Sequence, residues 1–290
     1  MQRLFVIVAS IGRAELLRKT VAHLAHQTRP PDGVLVVSVT PEDVAGLETV
    51  ASPRLEIIFT EKGLPRQRNA GLRHLSGKAD IICFFDDDFV PASDYLEQLE
   101  KAFVERPNLV GITGRVVADG IKTVGFSFDE ALDLLARDIK PAAPRERSLP
   151  ALYGCNLSIK AKAAQGLWFD EALPLYGWQE DVDFSYRLGL RGVLIRSDRL
   201  AGVHMGAKGG RTSGKRLGYS QIANPVYLLR KKTIPPRLAW RLMVRNLAAN
   251  MLRCFAPEPH VDRPGRLLGN MIAIGHLMTG RSHPTKVLRL

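Results

Sequence analysis

The feature that most constrains this chain is the alternation, through its first third, of short apolar runs with helical patterns. Leu4–Ala9, Val34–Val39, Leu55–Phe59 and Ile81–Phe85 are rich in Val, Ile and Phe. They are too continuous for half-exposed strands and short enough to be buried ones. Between the first two, Ala14–Gln27 sets Leu17, Val21, Leu24 and Ala25 at helical spacing until Pro30, Pro31 and Gly33 end it; Pro65–Leu75 reads as a second, shorter helix. Strand, helix and strand in succession predict an α/β fold, a mainly parallel sheet flanked by helices. Ligands of such sheets gather at the carboxyl ends of the strands.

Further along, a helix is expected from Ser93, as N-cap, to Arg106, with Leu96, Leu99 and Phe103 on one face. Residues 119–149 lose periodicity and become polar and Pro-rich, which reads as a variable insertion or mobile loop. Regular structure resumes at Leu157-Ser158-Ile159, followed by a helix over Glu180–Leu190 and a short strand over Val193–Arg196. Arg237–Phe255 is basic and amphipathic, with Arg237, Arg241 and Arg245 on one helical face. The expected division is one globular domain over 1–232 and a basic amphipathic helical C-terminal extension over 233–290.

Charge supports that division. The net charge is +12, yet from Met205 onward sixteen Lys and Arg stand against two acids, Glu258 and Asp262, while the rest of the chain is close to neutral. The basic section implies an anionic partner, and an anionic membrane surface is the one expected. A nucleic-acid binder is the alternative from another class, but the front section with its acidic clusters would repel phosphate, so nucleic acid is not the expected partner. Cys83, Cys155 and Cys254 are scattered without zinc-site or disulfide spacing, which fits a reducing cytoplasm. The opening apolar run is short and reads as a buried strand rather than a leader, and no stretch reaches the ~18 consecutive apolar residues of a spanning helix. The expected location is cytoplasmic, peripheral on the inner face of the cell membrane.

The chemistry concentrates in two acidic clusters. Asp86-Asp87-Asp88 directly follows the apolar run Ile81–Phe85. Three adjacent carboxylates repel one another and call for cations; an all-oxygen set favours Mg2+ or Mn2+. In an extended chain Asp86 and Asp88 point to one side and Asp87 to the other, so the first and third can share a ligand. The triplet alone also suits a solvated acidic turn. The second cluster, Glu180, Asp181 and Asp183, follows Trp178-Gln179. Acids in a first helical turn are expected simply as partners of the helix dipole, and a base for an alcohol must in addition be desolvated, for which Trp178 could supply the wall.

Taken together, Val6–Arg13, the segment Gly63–Gly71, the Asp triplet and Glu180-Asp181, in that order, resemble family 2 of the inverting glycosyltransferases, whose fold is called GT-A, over residues 4 to 232. The resemblance implies a metal-dependent enzyme that moves a sugar from a nucleotide-diphosphate donor, a UDP-sugar foremost, to a hydroxyl of a glycan or lipid-linked acceptor in polysaccharide or glycolipid assembly. It implies that Ala9, Ser10, Arg13, Arg68, Asn69, Asp86 and Asp87 hold the donor nucleotide, and that Asp88, with Asp86, holds Mn2+ or Mg2+. It further implies that Asp181 is the catalytic base beside Glu180, and that Gly154 and Asn156 border the cleft. Where the family usually has an acid after the second strand, this chain has Ser38, which can still hydrogen-bond a base or ribose. His204 corresponds to a histidine that touches metal or diphosphate. Arg211 and Lys215, with Lys208, form a Gly-rich basic loop suited to a leaving diphosphate. A sugar nucleotidyltransferase shares the same sheet but begins with a Gly-rich phosphate loop, of which Ala9–Arg13 is a poor version.

Overall fold

The computed structural model describes residues 2–50, 54–139, 141, 143–209, 212–255, 258 and 260–290. In chain order the elements are β1 (Leu4–Ala9), α1 (Ala14–Leu24), β2 (Gly33–Ser38), β3 (Leu55–Phe59), α2 (Leu64–His74), β4 (Ile81–Asp86), β5 (Phe89–Pro91) and α3 (Tyr95–Glu105). There follow β6 (Leu109–Asp119), α4 (Phe128–Arg137), β7 (Glu146–Ser148), β8 (Asn156–Lys160), α5 (Ala161–Ala164), α6 (Glu180–Gly189), β9 (Val193–His204), α7 (Gly214–Lys231), α8 (Pro236–Arg253) and α9 (Arg263–Met278).

One nine-stranded sheet runs β3-β2-β1-β4-β8-β6-β9-β5, with β7 also on β9. The strands β3, β2, β1 and β4 are mutually parallel, as the first-third pattern predicts. Beyond β4 the sheet is mixed: β8 is antiparallel to β4 and β6, β6 and β9 are parallel, and β5 and β7 run against β9. Alternation along each strand builds two cores. Leu4, Val6, Val8, Ile81, Cys83 and Phe85 face α1 and α3, while Phe5, Ile7, Ile82 and Phe84 face α2 and α6. The even-numbered parity of Ile82 and Phe84 carries on to Asp86, which leaves the end of β4 on the α2 side of the sheet.

Two expectations are corrected. Residues 119–149 are not a structureless loop, because Phe128–Arg137 is a helix. Ser127 Oγ accepts from the Glu130 N–H and the Glu130 carboxylate accepts from the Ser127 N–H, a closed capping box, and Leu132, Leu134 and Leu135 pack against Val90 and Val203. The strand at Val193 continues to His204, and β6, its partner, was not expected at all. Gly111 and Gly114 mask β6 in the sequence, yet space demands them: a β-carbon at Gly111 would lie 2.8 Å from Leu152 and Leu194, and one at Gly114 2.7 Å from the Leu200 carbonyl.

Around the boundary expected at 232 the helices share a core. Tyr219, Ile222, Ala223 and Val226 of α7 share one core with Met243 of α8 and Ala273 of α9. The helices beyond 232 thus pack on α7, the last helix before that boundary. At the crossing of α7 and α9 a β-carbon on Gly218 would lie 2.0 Å from the Arg266 carbonyl, and one on Gly269 2.0 Å from that of Lys215. Two glycines thus let the helices touch backbone to backbone. Leu238, Leu242 and Leu247 of α8 are half-buried, while Trp240, Val244, Met251 and Leu252 lie exposed beside Arg237, Arg241 and Arg245, and Phe255 follows just beyond the helix. Among the described residues no helix is long and apolar enough to cross a membrane.

Candidate active site

A cavity of about 300 Å3 opens at the carboxyl ends of β1 and β4. Ala9, Ser10, Ile11 and Arg13 line it from the β1–α1 turn, Asp86, Asp87 and Asp88 from the end of β4, and His204 from the end of β9. The acids separate as alternation requires. Asp86, Asp88 and His204 each turn a ligand atom to a common point, all within 4.8 Å of one another. Asp87 points away and is fully buried, accepting a hydrogen bond from Ser10 Oγ at 2.6 Å and pairing with Arg13 at 3.1 Å. Its backbone carbonyl accepts from Thr20 Oγ1 of α1 at 2.8 Å, which ties the acidic turn to the helix.

Charge is balanced at close range. Burial alone would push the Asp88 carboxyl up, but His204 at 3.3 Å, Arg13 at 3.3 Å and the Ala207 N–H at 2.8 Å outweigh it and hold that carboxyl down at about 2. Burial likewise works against a charged His204, yet hydrogen bonds to Asp119 and Asp88 raise its imidazole to about 10. For Asp87, Arg13 and Ser10 do not outweigh its burial and the repulsion of Asp88, and it is shifted upward. Two carboxylates and an imidazole converging on one point are a donor set that suits Mn2+ or Mg2+, the imidazole serving as a ligand once it has given up its proton. Asp119, at the end of β6, and Tyr153, whose hydroxyl donates to Asp119 at 2.9 Å, orient the imidazole from behind.

Arg68 departs most from expectation. It does not line the cavity; it is fully buried beneath it. Its guanidinium donates to Glu180 at 2.5 Å, Asp86 at 3.1 Å and the Gly154 carbonyl at 2.8 Å, and sits over the rings of Phe84 and Phe169. Asn69 is also turned inward, donating to the Phe169 carbonyl and accepting from its N–H. The stretch that does reach the cavity is Lys62, Gly63, Leu64 and Gln67. Helical spacing does not separate them, since Leu64, Gln67 and Arg68 stand at i, i+3 and i+4; the Glu180 and Asp86 carboxylates and the Gly154 carbonyl hold the Arg68 guanidinium beneath the cavity.

The remaining expected residues divide. The Gly154 N–H donates to Asp181 at 3.0 Å, and a β-carbon there would press on the same carboxylate. Asp181 is half-buried at the start of α6, and burial raises its carboxyl above the usual range despite Arg68. It is not part of the cavity wall, although Leu175 and Tyr176 from the loop before it are. Glu180 is buried and its carboxyl is pushed up by burial, against the pull of Arg68. Trp178 is half-buried, and its carbonyl accepts from Asn224 of α7. Ser38 and Asn156 do not reach the cavity. Ser38 Oγ donates to the Ser10 carbonyl, and Asn156 is enclosed with Thr113. Arg211 lies outside the described residues. Lys215 stands in the first turn of α7, but the cavity wall there is Ser213, Arg216 and Leu217, joined by Arg266 from α9. Lys208 is held by the carbonyls of Gly120 and Ile121.

The chain resembles known proteins in sequence and in fold. A sequence profile described as glycosyl transferase family 2 matches residues 5–161, the span from β1 through β8 that carries the acidic triplet. A curated relative, glucosyl-dolichyl phosphate glucuronosyltransferase of Haloferax volcanii, is 24% identical over 161 residues, 53% of this chain and 51% of its own length. The chain thus spans about half the length of that relative. Among solved structures, the mannosyltransferase PcManGT from Pyrobaculum calidifontis, in complex with GDP-Man and Mn2+, superposes with a TM-score of 0.59 at 18% identity over 99% of this chain and 85% of that one. S. aureus TarS 1–349 in complex with UDP-GlcNAc gives 0.56 at 15% identity over 87% and 73%. A sheet of this order with an acidic turn at the end of its fourth strand, matched by the family profile through more than half of its length, is the GT-A fold, and the chain belongs to glycosyl transferase family 2.

Proposed function

We propose that this protein is an inverting glycosyltransferase, moving a sugar from a nucleoside diphosphate donor, UDP-linked foremost, to a hydroxyl of a glycan or lipid-linked acceptor. The observation that carries this is the single buried guanidinium of Arg68, which joins the acidic turn at Asp86 to the acidic helix start at Glu180. Donor and acceptor chemistry thereby meet in one place. The sugar nucleotides bound by PcManGT and TarS support the donor class, and the name of the Haloferax relative supports a lipid-linked acceptor.

Asp86, Asp88 and His204 would hold the divalent cation, Mn2+ or Mg2+, which when bound neutralises charge on the leaving diphosphate. The chain's own residues do the rest. Ala9, Ser10 and Gln67 shape the nucleotide end of the cavity; Arg13, anchored on Asp87, keeps the acidic turn from flying apart. Asp181 takes the proton of the acceptor hydroxyl as that oxygen attacks the anomeric carbon from the face opposite the diphosphate, and the configuration inverts. Asp88→Ala is expected to remove the dependence of nucleoside diphosphate affinity on Mn2+ in calorimetry. Equal affinity of wild type with and without the ion would reject the metal site.

The extension supports a place for the enzyme on a membrane surface. The Trp240 and Val244 stripe of α8, flanked by arginines and lacking any acid, suits an anionic bilayer. Vesicles containing phosphatidylglycerol should co-sediment the protein, and Arg237→Ala with Arg241→Ala should weaken this by about 1 kcal/mol per charge removed. Sedimentation indifferent to anionic lipid would exclude it.

A further inference from the structure

The cavity is not completed by the catalytic sheet alone. Its wall includes Arg216 from the first turn of α7 and Arg266 from the first turn of α9. Arg266 lies far along the chain from the acidic turn and outside the span matched by the family profile. We propose that Arg216 and Arg266 form a phosphate-binding wall that grips the diphosphate of the donor. This rests on the glycosyltransferase reading above and adds to it residues from the C-terminal helices.

Three observations support the assignment. First, Arg13, the cation nearest the acidic floor, is already committed, to Asp87 at 3.1 Å and Asp88 at 3.3 Å. Beside the divalent cation, the further positive groups that the described wall offers an incoming diphosphate are Lys62, Arg216 and Arg266. Second, among the described residues no carboxylate pairs with Arg216. The two acids of the basic section are otherwise engaged: Glu258 is bound by Arg253 and Arg263, and Asp262 accepts from the Gly265 N–H as the cap of α9. Third, the position of Arg266 is built. Gly218 and Gly269 allow α9 to lie directly on the backbone of α7, and Gly218 does so at the Arg266 carbonyl itself. A larger residue at either place would hold α9 off and withdraw the guanidinium. Two guanidinium forks present paired N–H donors that match phosphate oxygens, which a lysine cannot do to the same extent.

The same chemistry could serve the phosphate of a lipid-linked acceptor, and the test separates the two. Binding of UDP and GDP, of uridine and guanosine, and of a short-chain prenyl phosphate would be measured by calorimetry with Mn2+ on wild type, Arg216→Ala, Arg266→Ala and Arg266→Lys. Each alanine variant should weaken the nucleoside diphosphate by about ten- to a hundredfold and leave the nucleoside unchanged, with Arg266→Lys in between. Thermal melting of the unliganded variants checks that the helices remain packed. The proposal is overturned if both alanine variants bind the diphosphate like wild type, or if nucleoside and diphosphate weaken equally. It is overturned too if only prenyl phosphate binding falls. A wild-type protein that binds no nucleoside diphosphate at all would instead remove the glycosyltransferase reading, and this inference with it.

Discussion

An Asp181→Asn enzyme is expected to bind the nucleoside diphosphate donor as wild type does and to lose transfer by about 10^2- to 10^4-fold, the usual contribution of a positioned general base. The amide keeps the shape of the carboxylate and can still accept from the Gly154 N–H through its oxygen, giving up the bond from the Val182 N–H. It cannot take a proton. A second signature follows from the environment of this group. Burial holds the Asp181 carboxyl above the ordinary aspartate value, and the active form is the ionised one. Activity should thus fall as pH drops through a value above that of an ordinary aspartate, and this acid limb should vanish from the residual rate of the variant. Single-turnover transfer with a competent acceptor gives the first readout and its pH profile the second; turnover near wild type would dismiss Asp181 as the base.

Arg68→Met should be the most damaging substitution for the fold around the site. The guanidinium is shared by Glu180, buried with it, and by Asp86, which is partly exposed on the cavity. Removing one member of a buried pair leaves a charge without compensation and costs about 3–5 kcal/mol. In a protein of this size that lowers the melting temperature by on the order of 10 °C. Replacing Glu180 by Gln in the same molecule should recover part of the loss, because one of the stranded carboxylates is gone. A melting temperature unchanged in Arg68→Met, or a double variant worse than the sum of its parts, would show that the pair does not carry this energy.

The role of Arg68 also shows where sequence reading stops. That the element Arg68-Asn69 matters was legible, and so was its neighbourhood, since α2 leads into the strand that ends at Asp86. Which way each side chain turns was not, because helix phase relative to the sheet depends on how Leu72 and Leu75 seat against Ile7 and Ile82. The same holds at Ser38: a hydroxyl at a strand end reads as a ligand contact, and only packing reveals that the Ser10 carbonyl already takes it. The four parallel strands and the sharing of a ligand point by Asp86 and Asp88 were legible because a period of two is a strong signal. β6 was hidden by its glycines, and with it Asp119, the partner of His204. Arg266 carried no local signal at all; nothing near it in the chain resembles the rest of the site, and tertiary packing alone brings it there.

His204 has a consequence of a different kind. It stands opposite Phe89 on the antiparallel rung between β5 and β9, and the neighbouring Met205 N–H donates to the Asp88 carbonyl at 2.9 Å. The imidazole meets the Asp88 carboxylate because two distant stretches are counted into step by the ladder, and strand parity then aims it at the ligand point. A substitution in β9 changes one side chain. Insertion or loss of one residue between Gly202 and His204 would present the opposite face, and the histidine would still be present in the sequence while absent from the site. In comparing relatives of this protein, spacing within β9 therefore carries more information about the proposed metal site than the presence of a histidine does.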